Sequence, residues 1–224
     1  MGQIIIHEET TKNPITLIGK MAGTCWGADT TDDEKNYKRG LACLQNQHGR
    51  TWEFPDVYLS AEGYSARMVR ELYTHIGGAP TRLQASTRYI DYTNFDCVVP
   101  PSIQKSPKAS EIYKCSINLI SKNMEELMTR WNIPKEDVAM LLPLGMCTKI
   151  VGKYNARTLV DMSHQRLCSR AYWEYREFMK DLINALIAYS KEWAEFVALM
   201  FKAKCDYLGY CPEAKPCKLE YQNK

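Results

Sequence analysis

No run of apolar residues in this sequence approaches the ~20 that a membrane-crossing helix requires. The opening MGQIIIHEET has neither a basic leader nor an apolar stretch of useful length behind it, so no signal peptide is expected. Gly2 lacks the downstream Ser or Thr of a myristoylation signal. A strong excess of either charge is also missing. The formal net charge is +3 and the pI about 8.3, too mild for a nucleic-acid coat, although a local basic pocket for phosphate stays open. There is no internal repeat and no low-complexity segment. The tail CDYLGYCPEAKPC spaces Cys205, Cys211 and Cys217 evenly but adds no histidine and does not match a zinc knuckle, so no metal site is expected. A cytoplasmic protein with neither a membrane nor a nucleic-acid partner is the resulting expectation.

The chain has 224 residues and a mass of 25.8 kDa. With 45% hydrophobic and 25% charged residues it is long enough for a sizeable core, and one domain over 1–224 is expected. Its nine cysteines are odd in number and scattered, which favours free thiols in a reducing compartment over a disulfide framework.

Periodicity gives the outline. IIIHE and ITLIGK look like short strands or an edge hairpin near the start. TTDDEKNYKRGLACLQNQ opens with capping residues and predicts a helix over Asp32–Gln45. GRTWEFPDVYLSAEGY alternates around a proline and reads as an edge strand. SARMVRELYTHI has a Ser cap and helical apolar spacing to Ile76, with GGAP as its stop. A strand is expected at Arg88–Tyr92. In the second half, Ser110–Ile133 predicts one long amphipathic helix, PKEDVAMLL a short one with Pro at its first position, and PLGMCTKIVGKYN a strand. Asn155 then caps some fifty residues without Pro or Gly, which implies two or three helices. The class is α+β, an antiparallel or mixed sheet in the first half covered by long helices mostly from the second.

Three stretches carry chemistry. In GGAPTRLQASTRY, Gly77 and Gly78 allow close backbone approach, Arg82 and Arg88 offer forked donors suited to phosphate, and Ser86 and Thr87 add hydroxyls and amides. An anion loop and a plain turn into a strand both fit. In RLCSRAYWEYRE, Arg166 and Arg170 would lie one turn apart on one helix face, separated either by a ligand or by Glu174; a solvated, salt-bridged face is the plainer reading. In YNARTLVDMSHQR, Asn155 caps, and Arg157 sits in a first turn, where the helix dipole disfavours a cation.

The segments HGRTWEF, LQASTRYIDY and LPLGMCTKIVGKYNARTLVDMSHQRLCSRAYWEYRE together resemble the flavin-dependent thymidylate synthases, the ThyX family, over roughly His48 to Cys217, with a weaker match through Thr24–Gln47. YLGYCPEAKPC is similar to a frequent ending of the family. One departure is large. Where the family carries Arg-His-Arg ahead of Ser-x-Arg-Tyr, an ungapped count back from Ser86 gives Ile76, Gly77 and Gly78. Arg70, His75 and Arg82 lie nearby but not at the family spacing. A further family arginine, tied to the nucleotide, is here Ala139, and Arg82 is its nearest substitute.

The resemblance implies a homotetramer whose sites are shared between subunits, with FAD as cofactor and dUMP as substrate. It implies that methylenetetrahydrofolate supplies the carbon and NADPH reduces the flavin. Carried over, Gln84, Ser86, Thr87 and Arg88, with Arg82, hold the nucleotide. Arg166 contacts the uracil and is the catalytic residue, stabilising charge that develops on the ring. His48, Arg50, Glu53, Asn155, Arg157 and Asp161 face the flavin, joined on the cofactor side by His75; Asp161 stands where Asn or His is usual. No Cys–His spacing suggests a cysteine nucleophile. Two alternatives remain open: a methylase or hydroxymethylase of another pyrimidine nucleotide such as dCMP, and a nucleotide-binding relative without catalysis.

Overall fold

The computed structural model describes Gly2–Cys217. Four strands, β1 (Gln3–Ile6), β2 (Asp56–Ser65), β3 (Thr81–Gln84) and β4 (Cys147–Asn155), form one antiparallel sheet in the order β1-β2-β4-β3. The helices are α1 (Pro14–Gly23), α2 (Asp33–Gln45), α3 (Ala66–Leu72), α4 (Pro101–Gln104), α5 (Pro107–Thr129), α6 (Lys135–Val138), α7 (Ala156–Arg166), α8 (Trp173–Tyr189), α9 (Lys191–Met200) and α10 (Lys204–Leu208). This is the α+β class expected. Backbone contacts cluster into two compact units. One takes the described residues up to Gln3 with Ala61–Glu71 and Leu83–Ile150; the other takes Ile4–Ser60, Leu72–Arg82 and the described residues from Val151 to Cys217.

The larger unit has a dense apolar core of Ile15, Ile18, Leu44, Leu159, Phe178, Leu182, Trp193 and Phe196, all essentially inaccessible. The expectation that ITLIGK is a strand fails here. Pro14 opens α1, and Ile15, Ile18, Gly19 and Ala22 recur at a helical period on its buried face. Two glycines let α1 and α2 cross closely. A Cβ on Gly19 would stand 1.7 Å from the Asn36 carbonyl oxygen, and one on Gly40 1.9 Å from that of Ile15. α2 starts as expected, the Asp32 carboxylate accepting from the amides of Glu34 and Lys35. α9 is tied to α1 by Glu192, which accepts from the Thr16 amide at 2.9 Å and its hydroxyl at 2.6 Å. The fifty-residue tract resolves into α7, α8 and α9, with Asn155 capping α7 through the Thr158 amide at 2.8 Å.

GRTWEF is a 3-10 turn over Gly49–Glu53, and β2 begins only after Pro55. β2 is an interior strand, not an edge, because the proline lies outside the ladder and Val57, Leu59 and Ala61 alternate inward. α3 has its Ser65 cap, the hydroxyl accepting from the Met68 amide, but stops at Leu72 rather than Ile76. The next strand is β3, not Arg88–Tyr92. The Ser86 carbonyl accepts from the amides of Tyr89 and Ile90, and its hydroxyl from the amide of Arg88 at 3.2 Å. This local bonding winds the chain into a turn and overrides the β propensity of the aromatics.

In the smaller unit, α5 starts at Pro107 under a Ser106 cap. Among the described residues Met124 is the single buried position of this 23-residue helix. Ile112 and Leu119 are well exposed. Pro134 is the cap of α6 rather than its first residue.

Candidate functional site

α7 is the scaffold of the larger unit's site. Asn155 Oδ1 bonds the Thr158 amide and lies 2.9 Å from the Thr158 hydroxyl, which also lies 2.8 Å from the Gly77 carbonyl oxygen. The Gly-Gly loop is thereby held on the start of α7. Gly78 has φ +73°, and a Cβ there would fall 2.3 Å from Thr158 Oγ1 and 2.7 Å from Asn155 Nδ2, so only glycine fits. The sequence left an anion loop and a plain turn both open for these glycines; in the structure Gly78 meets a packing constraint. Beside α7 opens a cavity of about 350 Å³, whose lining includes His75, Gly77, Thr158, Asp161, His164 and Lys204.

At the same helix start, the Arg157 guanidinium pairs with Glu53 at 2.7 Å, and Arg50 approaches the other Glu53 oxygen at 3.9 Å. His48, exposed, precedes them at the mouth of the 3-10 turn. These groups, Asn155, Asp161 and His75 belong to one unit, which also holds Arg82 and Arg166.

Arg166 ends α7. Its Nε–H donates to His75 Nε2 at 3.0 Å, Nη2 lies 3.4 Å from Thr74 Oγ1, and the guanidinium carbon stands 4.5 Å above the ring of buried Tyr175. His75 meets the same ring edge-on at 5.7 Å. Burial, then the charges of Arg166 and Arg82, push the His75 pKa down to about 4, so the imidazole is neutral. Arg82 directs Nη1 to the carbonyl oxygens of Leu72 (2.8 Å) and His75 (3.1 Å) and lies over Tyr73. It thus closes the end of α3.

The pairing of Arg166 with Arg170 on one helix face does not occur. α7 ends at Arg166 and α8 begins at Trp173. Arg170 meets Glu213 and the Lys215 carbonyl oxygen at 3.4 Å, while Glu174 is buried and accepts from Tyr172. Ser169 donates to Cys217 Sγ at 3.0 Å, so the cysteine tail lies over this junction.

The smaller unit holds the other loop. The turn at Ser86 brings Ser86, Thr87 and Arg88 together after Gln84, whose amide reaches Thr148 Oγ1 at 3.4 Å. Arg88 Nε bonds Glu136 at 2.8 Å, in an ion pair exposed on both sides.

Sequence reasoning missed His164. Burial lowers its pKa, it stacks on Tyr207 at 4.4 Å, and its buried Nε2 has no hydrogen-bond partner among the described residues. The signal was present: His164 follows Asp161 by three residues, on the same helix face. Glu136 was also missed, and no local pattern links it to Arg88.

The donor set fits a flavin dinucleotide in chemical kind. Arg50 and Arg157 suit phosphates, and the orphaned His164 nitrogen can meet a polar ligand atom in the cavity.

Comparison with known proteins agrees in kind. Residues 8–189 match the family described as thymidylate synthase complementing protein. A flavin-dependent thymidylate synthase from Nitratidesulfovibrio vulgaris is 28% identical across 92% of this chain and 89% of its own length. One from Pyrococcus horikoshii is 32% identical across 76% and 70%. Among solved structures, the Helicobacter pylori flavin-dependent thymidylate synthase ThyX complexed with FAD and dUMP superposes with a TM-score of 0.68, at 19% identity, covering 88% of this chain and 97% of that one. No helix among the described residues is long and apolar enough to cross a membrane.

Proposed function

The chain belongs to the thymidylate synthase complementing protein family, and from that premise we propose that it converts dUMP to dTMP as a flavin-dependent methyltransferase. FAD, when bound, supplies the hydride, with NADPH as its reductant and methylenetetrahydrofolate as the carbon source. The observation that carries the reading is the Arg166 guanidinium, held by His75, Thr74 and the Tyr175 ring at the end of the helix that also presents Asn155, Arg157 and Asp161.

Each residue has a physical task. Arg166 faces the pyrimidine and stabilises negative charge as it develops on the ring, where a preorganised cation contributes a few kcal/mol. Ser86, Thr87 and Arg88 cradle the nucleotide phosphate, with Gln84 beside them. Arg82, its Nη1 turned to the chain, has further N–H groups to offer the nucleotide. Arg50 and Arg157 orient the cofactor's phosphates, with Glu53 pairing to both guanidinium groups. His48, Asn155, Asp161 and His75 complete the cofactor side.

We infer a homotetramer near four times 25.8 kDa, with sites shared between subunits. What favours assembly is α5, on which Met124 is the single buried position among the described residues and Ile112 and Leu119 are exposed. The chain then acts as a single synthase domain over 1–224, in the cytoplasm, where the free thiols at all nine cysteines would persist.

Product analysis with dUMP and with dCMP, in the presence of FAD, NADPH and methylenetetrahydrofolate, tests the proposal. dTMP from dUMP is expected. A product from dCMP alone would replace the substrate, and the Ile76-Gly77-Gly78 loop, in place of Arg-His-Arg, is the feature that would then account for it.

A further inference from the structure

The catalytic reading of Arg166 leaves unexplained why its Nε–H points at a buried histidine. An arginine Nε can only donate, so the atom 3.0 Å away must offer a lone pair. That atom is Nε2 of His75, and a lone pair on Nε2 places the ring proton on Nδ1. A charged imidazolium could not accept this bond and would stand against two guanidinium groups.

We propose that His75 is a positioning residue, whose Nε2 lone pair fixes the orientation of the Arg166 guanidinium. Three constraints act together. The bond to His75 sets the Nε edge of the group. The Tyr175 ring, 4.5 Å from the guanidinium carbon, sets its plane. The same ring meets His75 edge-on and restrains the imidazole in turn. His75 is itself anchored by its backbone, whose carbonyl oxygen accepts from Arg82 at 3.1 Å. Its burial, with 9% of its surface accessible, removes competing water. Desolvation and the neighbouring cations keep the imidazole neutral through the physiological range. An arginine so held keeps its charge in one place and needs no reorganisation as charge builds on a substrate. The role deepens the proposed synthase activity and rests on it for its catalytic consequence, but the orientation of Arg166 is a property of the free chain.

The test has two parts. In the full-length protein labelled with ¹⁵N-histidine and ¹⁵N-arginine, His75 Nε2 should resonate as an unprotonated nitrogen at neutral pH. The Arg166 Nε–H signal should shift or broaden in His75→Leu and be largely restored in His75→Gln, whose side-chain amide can present an acceptor at a similar reach. Kinetically, His75→Leu should lower kcat by about tenfold or more with less than about threefold change in KM for dUMP, and His75→Gln should recover most of the turnover. A protonated Nε2, or an Arg166 Nε–H signal unmoved in His75→Leu, overturns the proposal. So does a glutamine variant as impaired in kcat as the leucine one. If His75→Leu fails to fold, the wild-type nitrogen spectrum and His75→Gln still decide. Failure of wild type to make dTMP would refute the synthase reading, and the nitrogen spectra would then decide on His75 alone.

Discussion

Arg166 and Arg88 both face an anion in the proposed function, yet the fold treats them differently. Arg166 lies against the ring of a fully buried tyrosine and donates to a buried histidine. Arg88, with 65% of its side chain exposed, meets a glutamate that is itself 54% exposed. Exposed ion pairs contribute about 0–1 kcal/mol and are screened by salt. The first guanidinium is fixed before any ligand arrives; the second is parked on a weak carboxylate that a phosphate can displace. A rigid cation suits charge that appears only in the transition state, and a movable one suits charge that arrives with the substrate.

The largest expected effect tests the rigid side. Arg166→Ala should lower kcat by about 10²–10³, with a nucleotide Kd raised less than tenfold, because its charge matters most as the ring becomes anionic. Steady-state turnover and dUMP titration separate the two numbers; equal losses in both would make Arg166 a simple binding residue. Arg88→Ala should do the reverse, raising the nucleotide Kd by about one to two orders of magnitude and leaving FAD binding nearly unchanged. If it releases FAD instead, the two regions have been assigned the wrong ligands. Arg157→Ala should weaken FAD by about 1.5–3 kcal/mol, read from flavin absorbance on titration, without altering nucleotide affinity.

A smaller effect follows from the neutral histidine of the rigid side. The folded-state pKa of His75, about 4, lies below the ordinary 6.5. Above pH 6.5 the imidazole is neutral in both folded and unfolded chains. As pH falls from 6.5 to 4 the unfolded chain binds a proton that the folded chain refuses, so stability drops by about 1–3 kcal/mol and levels off below 4. Arg166 and Arg82 reinforce this, and Asp161, His164 and Lys204 line the same cavity. Denaturant midpoints at pH 7 and pH 5 should diverge more in wild type than in His75→Gln, where the lowered pKa of half-buried His164 leaves a smaller difference. Smallest of all, Glu136→Gln should tighten nucleotide binding by about two- to fivefold, since the phosphate no longer competes with a carboxylate for Arg88.

The legibility of these regions differed for the same reason that their chemistry does. Helices with caps and periodic apolar faces, such as α2 and α7, could be read directly, because Asp32 and Asn155 act within their own first turns. The Ser-Thr-Arg cluster of donors was visible, but the stretch that follows, Arg88–Tyr92, was misread as a strand, because hydroxyl and carbonyl bonds at Ser86 outweigh aromatic β propensity. ITLIGK was misread because a short apolar run fits both periods, and the close crossing of α1 with α2 at Gly19 and Gly40 settles the matter.

The sequence by itself determined the α+β class, the family, the capped helices and the residue types able to hold phosphates and a flavin, since each of these is carried by local spacing or a contiguous motif. Only the tertiary structure decided that Arg166 donates to His75, 91 positions away, that Arg157 meets Glu53 across 104, and that Gly78 must be glycine to pass Thr158. Such contacts join segments with no periodic relation in the chain. They exist because burial removes water and leaves each polar group dependent on whichever partner the packing brings within reach.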